Sequence, residues 1–90
     1  MPVTTVSIRL AIKKIAEITC GIRPKVIPVN ALGDPEHRKF AVSIPFEYKT
    51  EVCSYLEAHL GFQCSSQGPV LLSAEQAHAI VLLALMTEPA

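Results

Sequence analysis

The segment from Ser73 to Met86 makes a demand that the rest of the chain has to meet. Ser73-Ala74-Glu75-Gln76 is a capping box: the Ser73 hydroxyl accepts from the Gln76 amide while the Gln76 side chain reaches back. A helix is predicted from Ala74 to about Thr87. Along it, Ala77, Ile80, Val81 and Ala84 form one apolar face. Ala79, Leu82, Leu83 and Met86 form a second, nearly opposite face below Glu75. A helix apolar on all sides is normally buried on all sides, and 90 residues supply little material to cover both faces. Either an N-terminal helix and a sheet sandwich it, or Leu82, Met86 and Leu83 stand in an exposed patch that takes a partner protein or a second copy.

The covering elements have to come from the first seventy or so residues. Ile8, Ala11, Ile12, Ile15, Ile18 and Thr19 share a helical face, with Lys13, Lys14 and Glu17 opposite. Gly21 and Pro24 follow as a stop signal, which predicts a helix from about Thr5 to Cys20. Val6 to Ile12 also alternates in a strand-like way, so a strand at the start is the competing reading. Lys25 to Leu32 is β-branched but interrupted by Pro28, which removes a ladder donor and points to an edge or irregular strand. Gly33-Asp34-Pro35-Glu36-His37 is turn chemistry. Arg38 to Ile44 then alternates, with Phe40, Val42 and Ile44 on one side, so the two segments predict a β-hairpin.

Pro45 opens a second helical stretch, Phe46 to Leu60, whose Tyr48, Val52, Tyr55, Leu56 and His59 share a face and which Gly61 closes. Phe62-Gln63-Cys64 has the look of a short strand, broken by Gln67-Gly68-Pro69, and Val70-Leu71-Leu72 then runs to Ser73. The expected fold is a single α+β domain over residues 1–90, about three helices packed on a small antiparallel sheet in the order α-β-β-α-β-α.

Charge and cysteine usage narrow the function. Eight Lys+Arg balance eight Asp+Glu, whereas a nucleic-acid binder draws its affinity from a basic excess. Arg9, Lys13 and Lys14 with Arg23 and Lys25 make at most a modest basic end, without aromatic residues among them for stacking. Zero net charge does little to keep copies apart. Cys20, Cys53 and Cys64 are odd in number and follow no repeated spacing, as expected for free thiols in a reducing, cytoplasmic setting. The apolar run Ala79 to Met86 is far short of a membrane span.

Catalytic and cofactor signals are weak. Cys53, His59 and Cys64 do not have a zinc-ligand spacing, and a structural site wants four ligands. No glycine-rich turn flanks a cysteine to serve as an oxyanion device, and Gly21, Gly33, Gly61 and Gly68 stand singly, so a phosphate cradle is excluded. No catalytic residue, metal or cofactor is therefore expected. The hairpin loop holds the densest charge, and Asp34, Glu36, Arg38 and Lys39 are candidate polar contacts to a partner. Together with Leu82, Leu83 and Met86 they make the expected partner-binding set. The expectation is a non-enzymatic protein-binding module: an adaptor, a subunit or a small inhibitor of a larger assembly. Small motif-free chains of this kind are often phage or mobile-element antagonists of host machinery. The alternatives are a dimeric nucleic-acid-linked regulator and a small Cys/His enzyme or metal protein.

Overall fold

The computed structural model describes residues 3–61 and 68–87. Its first element is a helix, α1, over Thr5–Cys20. The strand-like alternation of Val6 to Ile12 loses to a reciprocal cap: Thr4 Oγ1 accepts from the Ser7 amide at 3.1 Å, and the Thr4 amide donates to Ser7 Oγ at 2.9 Å. The cap satisfies an N–H that helix geometry would otherwise leave without a partner. Gly21 ends α1 in the left-handed region, its N–H donating to the Glu17 carbonyl.

The hairpin follows, as β1 (Val29–Leu32), a 3₁₀ turn (Pro35–His37) and β2 (Lys39–Val42). The first strand is shorter than the stretch Lys25–Leu32 because Pro28 has no N–H to give; its carbonyl alone is used, accepting from the Ser43 amide at 2.9 Å. Asp34 caps the turn, its carboxylate accepting from the His37 amide at 2.8 Å.

A second helix, α2, spans Phe46–Leu60 and closes on Gly61. The third strand, β3, spans Val70–Ser73 and leads without a linker into α3, Ala74–Met86. Ser73 forms the capping box expected of it: the Gln76 amide donates to Ser73 Oγ at 3.1 Å, and the Ser73 amide donates to Gln76 Oε1 at 3.0 Å. The stretch Phe62–Cys64, a strand candidate by sequence, lies outside the described residues.

The three strands form an antiparallel sheet in the order β1-β2-β3. Register divides it into two faces. Val29, Val42 and Val70 form one cross-strand row and Ala31, Phe40 and Leu72 the next, both on the inner face, with Ala31 alone of the six exposed at the edge strand. Asn30, Ala41 and Leu71, then Leu32, Lys39 and Ser73, form the outer rows. The inner rows merge with Ile8, Ile12 and Ile15 of α1, Tyr48, Val52 and Leu56 of α2, and Ala77, Ile80 and Ala84 of α3 into one core. Helix α1 packs against both other helices, and α1 and α3 meet the sheet. The result is an α+β domain with three helices on a three-stranded antiparallel sheet, in the order α-β-β-α-β-α.

Candidate functional site

Among the described residues, covering the inner face of α3 leaves its outer face without a partner. Ala77, Ile80 and Ala84 are buried and Val81 and Leu83 are half-buried against the core. The apolar residues on the other side stay in water: Leu82 is 45% exposed, Leu85 68% and Met86 81%. On the neighbouring helix, Val6 and Leu10, one turn apart, are 55% and 60% exposed.

The two sets meet at Leu10 and Leu85. Leu10, with Ser7, Ala11 and Lys14, forms one wall of an open groove of about 190 Å³ whose other wall is Val81, Ala84 and Leu85. Small residues at its floor, Ala11 and Ala84, let the two helices approach closely while their larger neighbours stand proud. At these exposures the five large side chains present on the order of 500 Å² of apolar surface, the upper end of what a monomer normally leaves uncovered. Beyond Leu10 the surface turns polar, with Lys13, Lys14, Glu17, Arg23 and Pro24 lining a shallow depression of about 340 Å³. Arg23 is tied to Glu17, Nε to Oε1 at 3.1 Å.

At the opposite end of the α1–α3 seam lies a wider cleft of about 580 Å³, lined by Val3, Pro35, Arg38, Phe40, Ala74, Glu75 and His78. Phe40 forms an apolar wall of this cleft from the sheet, and Arg38, Glu75 and His78 supply its polar rim. Because Val3 shares this cleft with the first turn of α3, and Ser7 to Lys14 share the groove with its second half, α1 and α3 run in the same direction.

The residues singled out by sequence fall in three places. Leu82 and Met86 lie on the exposed face of α3, and Leu83 is turned halfway into the core. Arg38 is half-buried in the cleft, which brings it to Glu75 and His78 of α3. Asp34 is engaged within its own turn, with His37 Nδ1 a further 3.2 Å neighbour, and Glu36 is exposed beside it. Lys39 sits on the outer sheet face in a row with Leu32 and Ser73, away from the helices. Leu85, Leu10 and Val6 were not legible as site residues from sequence. The signal for the last two was present: two aliphatic residues on the Lys13, Lys14 and Glu17 side of α1, where an isolated amphipathic helix would place polar groups.

The other chemical groups are dispersed. The rings of Tyr55 and His59 on α2 lie with centroids 4.3 Å apart and planes tilted by 42°, and Tyr55 Oη lies 3.2 Å from Thr87 Oγ1. Cys20 and Cys53 are free, half-buried thiols; Cys64 lies outside the described residues. Among the described residues no three His, Cys, Asp or Glu side chains are grouped to hold a metal ion. Arg9 donates from Nε to the Ile27 carbonyl at 3.1 Å, so Arg9 and Arg23 of the basic end both have partners within the molecule. No helix among the described residues is long and apolar enough to cross a membrane. Comparison with protein-family models, with curated proteins and with solved structures finds no match to this chain.

Proposed function

We propose that this chain is a non-enzymatic protein-binding module, an adaptor, subunit or small inhibitor of a larger assembly, acting in a reducing cytoplasmic setting. The observation that carries this reading is the set of exposed apolar side chains on two adjacent helices, Val6 and Leu10 on α1 and Leu82, Leu85 and Met86 on α3, of which Leu10 and Leu85 share one groove. Surface of that extent is costly to leave in water, at about 25 cal/mol for each Å². A contact that covers it recovers that free energy, and apolar anchors at the centre of a patch carry most of the binding in such interfaces. The half-buried Arg38, with Glu75 and His78, stands at one end of the same seam, where it supplies polar contacts around the apolar centre. A small antagonist of host machinery, encoded by a phage or mobile element, is one role that suits a module of this kind.

The test is capture from native-source lysate with the wild-type chain and with Leu82→Lys and Leu85→Lys as bait. Both positions are exposed on the last turns of α3, where a lysine suits the helix dipole. A protein held stoichiometrically by the wild type and lost from both variants supports the reading. Retention by both variants places binding elsewhere on the molecule. A wild type that neither captures a protein nor associates with itself removes the reading.

A further inference from the structure

We infer that the occupant of the groove between Leu10 and Leu85 is an acidic amphipathic helix of another protein. It seats one large apolar side chain between the two leucines and sets carboxylates over Lys13 and Lys14; this rests on the α1–α3 seam being a protein-binding surface.

The apolar groove and the basic depression beside it share two side chains. Leu10 and Lys14, one turn apart on α1, line both. The groove has one cation among its lining residues, Lys14, and no carboxylate. The depression sets Lys13, Lys14 and Arg23 against a single carboxylate, Glu17. That carboxylate is already taken, by Arg23 at 3.1 Å. Among the described residues neither Lys13 nor Lys14 pairs with an acidic side chain, although both are half-buried. Two uncompensated cations therefore stand beside an uncovered apolar groove. An apolar anchor with negative charge one turn away completes both.

Size and backbone chemistry define the segment that fits. An apolar cavity of about 150 Å³ takes a benzene ring, so a groove of about 190 Å³ takes one large aliphatic or aromatic side chain. Both walls are helices, whose N–H and C=O groups are bonded within each helix. An extended segment laid here would find no main-chain partners and would leave its own polar groups unpaired. A helix arrives with those bonds made and presents side chains three and four residues apart on one face. An anchor followed at that spacing by Asp or Glu matches Leu10 with Lys13 and Lys14, which are spaced in the same way. A bilayer surface cannot follow the hollow floored by Ala11 and Ala84.

The contact is small. Apolar surface on the order of 500 Å² belongs to weak, reversible encounters. The lysines then decide which partner is accepted more than how tightly it is held.

The test is selection of a displayed library of helical peptides, randomised on one face, against the purified full chain under reducing conditions. Wild type is expected to enrich peptides with Leu, Ile, Met or Phe at one position and Asp or Glu three or four residues from it. A chain with Lys13→Glu and Lys14→Glu should enrich Lys or Arg at that second position instead. A chain with Lys13→Gln and Lys14→Gln should show neither preference. By fluorescence anisotropy, the enriched acidic peptide should bind roughly tenfold or more weakly to the Lys→Glu chain and to a chain with Leu10→Ala and Leu85→Ala. Circular dichroism and thermal melting of these variants should be unchanged. Peptides enriched through Leu10 and Leu85 without an acidic bias, or with a bias that ignores the lysine variants, overturn the inference and leave the protein-binding reading standing. No enrichment overturns it too, and that reading then stands or falls on capture from lysate alone. Phosphatidylserine vesicles that bind through Lys13 and Lys14, with no acidic peptide enriched, overturn it in favour of a membrane surface.

Discussion

Leu10 of α1 and Leu85 of α3, from opposite ends of the chain, are the raised walls of one groove floored by Ala11 and Ala84. Neither side chain is needed to fill the core, since both are more than half exposed. Leu85→Ala is therefore expected to change stability by less than about 0.5 kcal/mol. Ile80→Ala, five residues earlier on the fully buried face, should cost about 2–5 kcal/mol through lost burial and a cavity. Urea denaturation of the two variants checks this, and a large loss at Leu85 would mean that the seam is covered within the fold.

The turn between β1 and the 3₁₀ segment sets Gly33 apart from the helix-capping Gly21. Both have positive φ, +80° and +68°, where a side chain costs roughly 1–2 kcal/mol. A Cβ at Gly33 would also lie 2.8 Å from the His37 carbonyl oxygen, whereas one at Gly21 meets open space. Gly33→Ala should consequently be the more destabilising of the two by chemical denaturation; equal losses would show that the turn relaxes freely.

The β3–α3 junction depends on the Ser73 capping box, because no linker separates strand from helix. Ser73→Ala is expected to cost about 1 kcal/mol, and Ser73→Thr, which keeps a hydroxyl, less. Thermal melts of the two variants give the comparison, and identical melting temperatures would contradict it.

Tyr48 is buried on the inner side of α2, and burial, then the neighbouring Glu47 and Cys20, hold its phenol pKa above the usual 10.0. The folded state therefore keeps this proton more tightly than the unfolded chain does. Its contribution to stability is complete below pH 10 and is lost as pH rises from about 10 through the raised value. Tyr48→Phe has no such proton to lose, so its stability should fall less steeply than that of wild type above pH 10 in denaturation curves taken across that range. Parallel curves would contradict the assignment.

Local chemistry made most of the fold legible. Gly21 and Gly61 mark the ends of α1 and α2, and the Ser73 box marks the start of α3, because caps are written in contiguous residues. The choice of helix over strand at Val6–Ile12 was also written locally, in the Thr4 and Ser7 pair that precedes the apolar stripe. The exposed side of α3 was half legible. Helical spacing gives two apolar faces for this segment, but only packing decides which is covered, and it turns Leu83 inward and leaves Leu85 out. The grouping of Arg38 with Glu75 and His78 had no local signal, since it depends on how the hairpin is laid beside α3.

The outer face of the sheet also leaves aliphatic side chains in water, with Leu32 and Leu71 exposed, as are Ile22 and Val26 in the connection from α1 to β1. Asn30, Lys39 and Ser73 share its rows and break its apolar surface, so it should not compete with the seam. Nuclear magnetic resonance distinguishes the two most directly. Amide and methyl shifts would be followed through a dilution series and again with any protein retained by capture. The account predicts changes gathered at Val6, Leu10, Leu82, Leu85 and Met86, with Leu32 and Leu71 unmoved. Changes gathered at Leu32 and Leu71, or a seam that stays silent in both experiments, would contradict it.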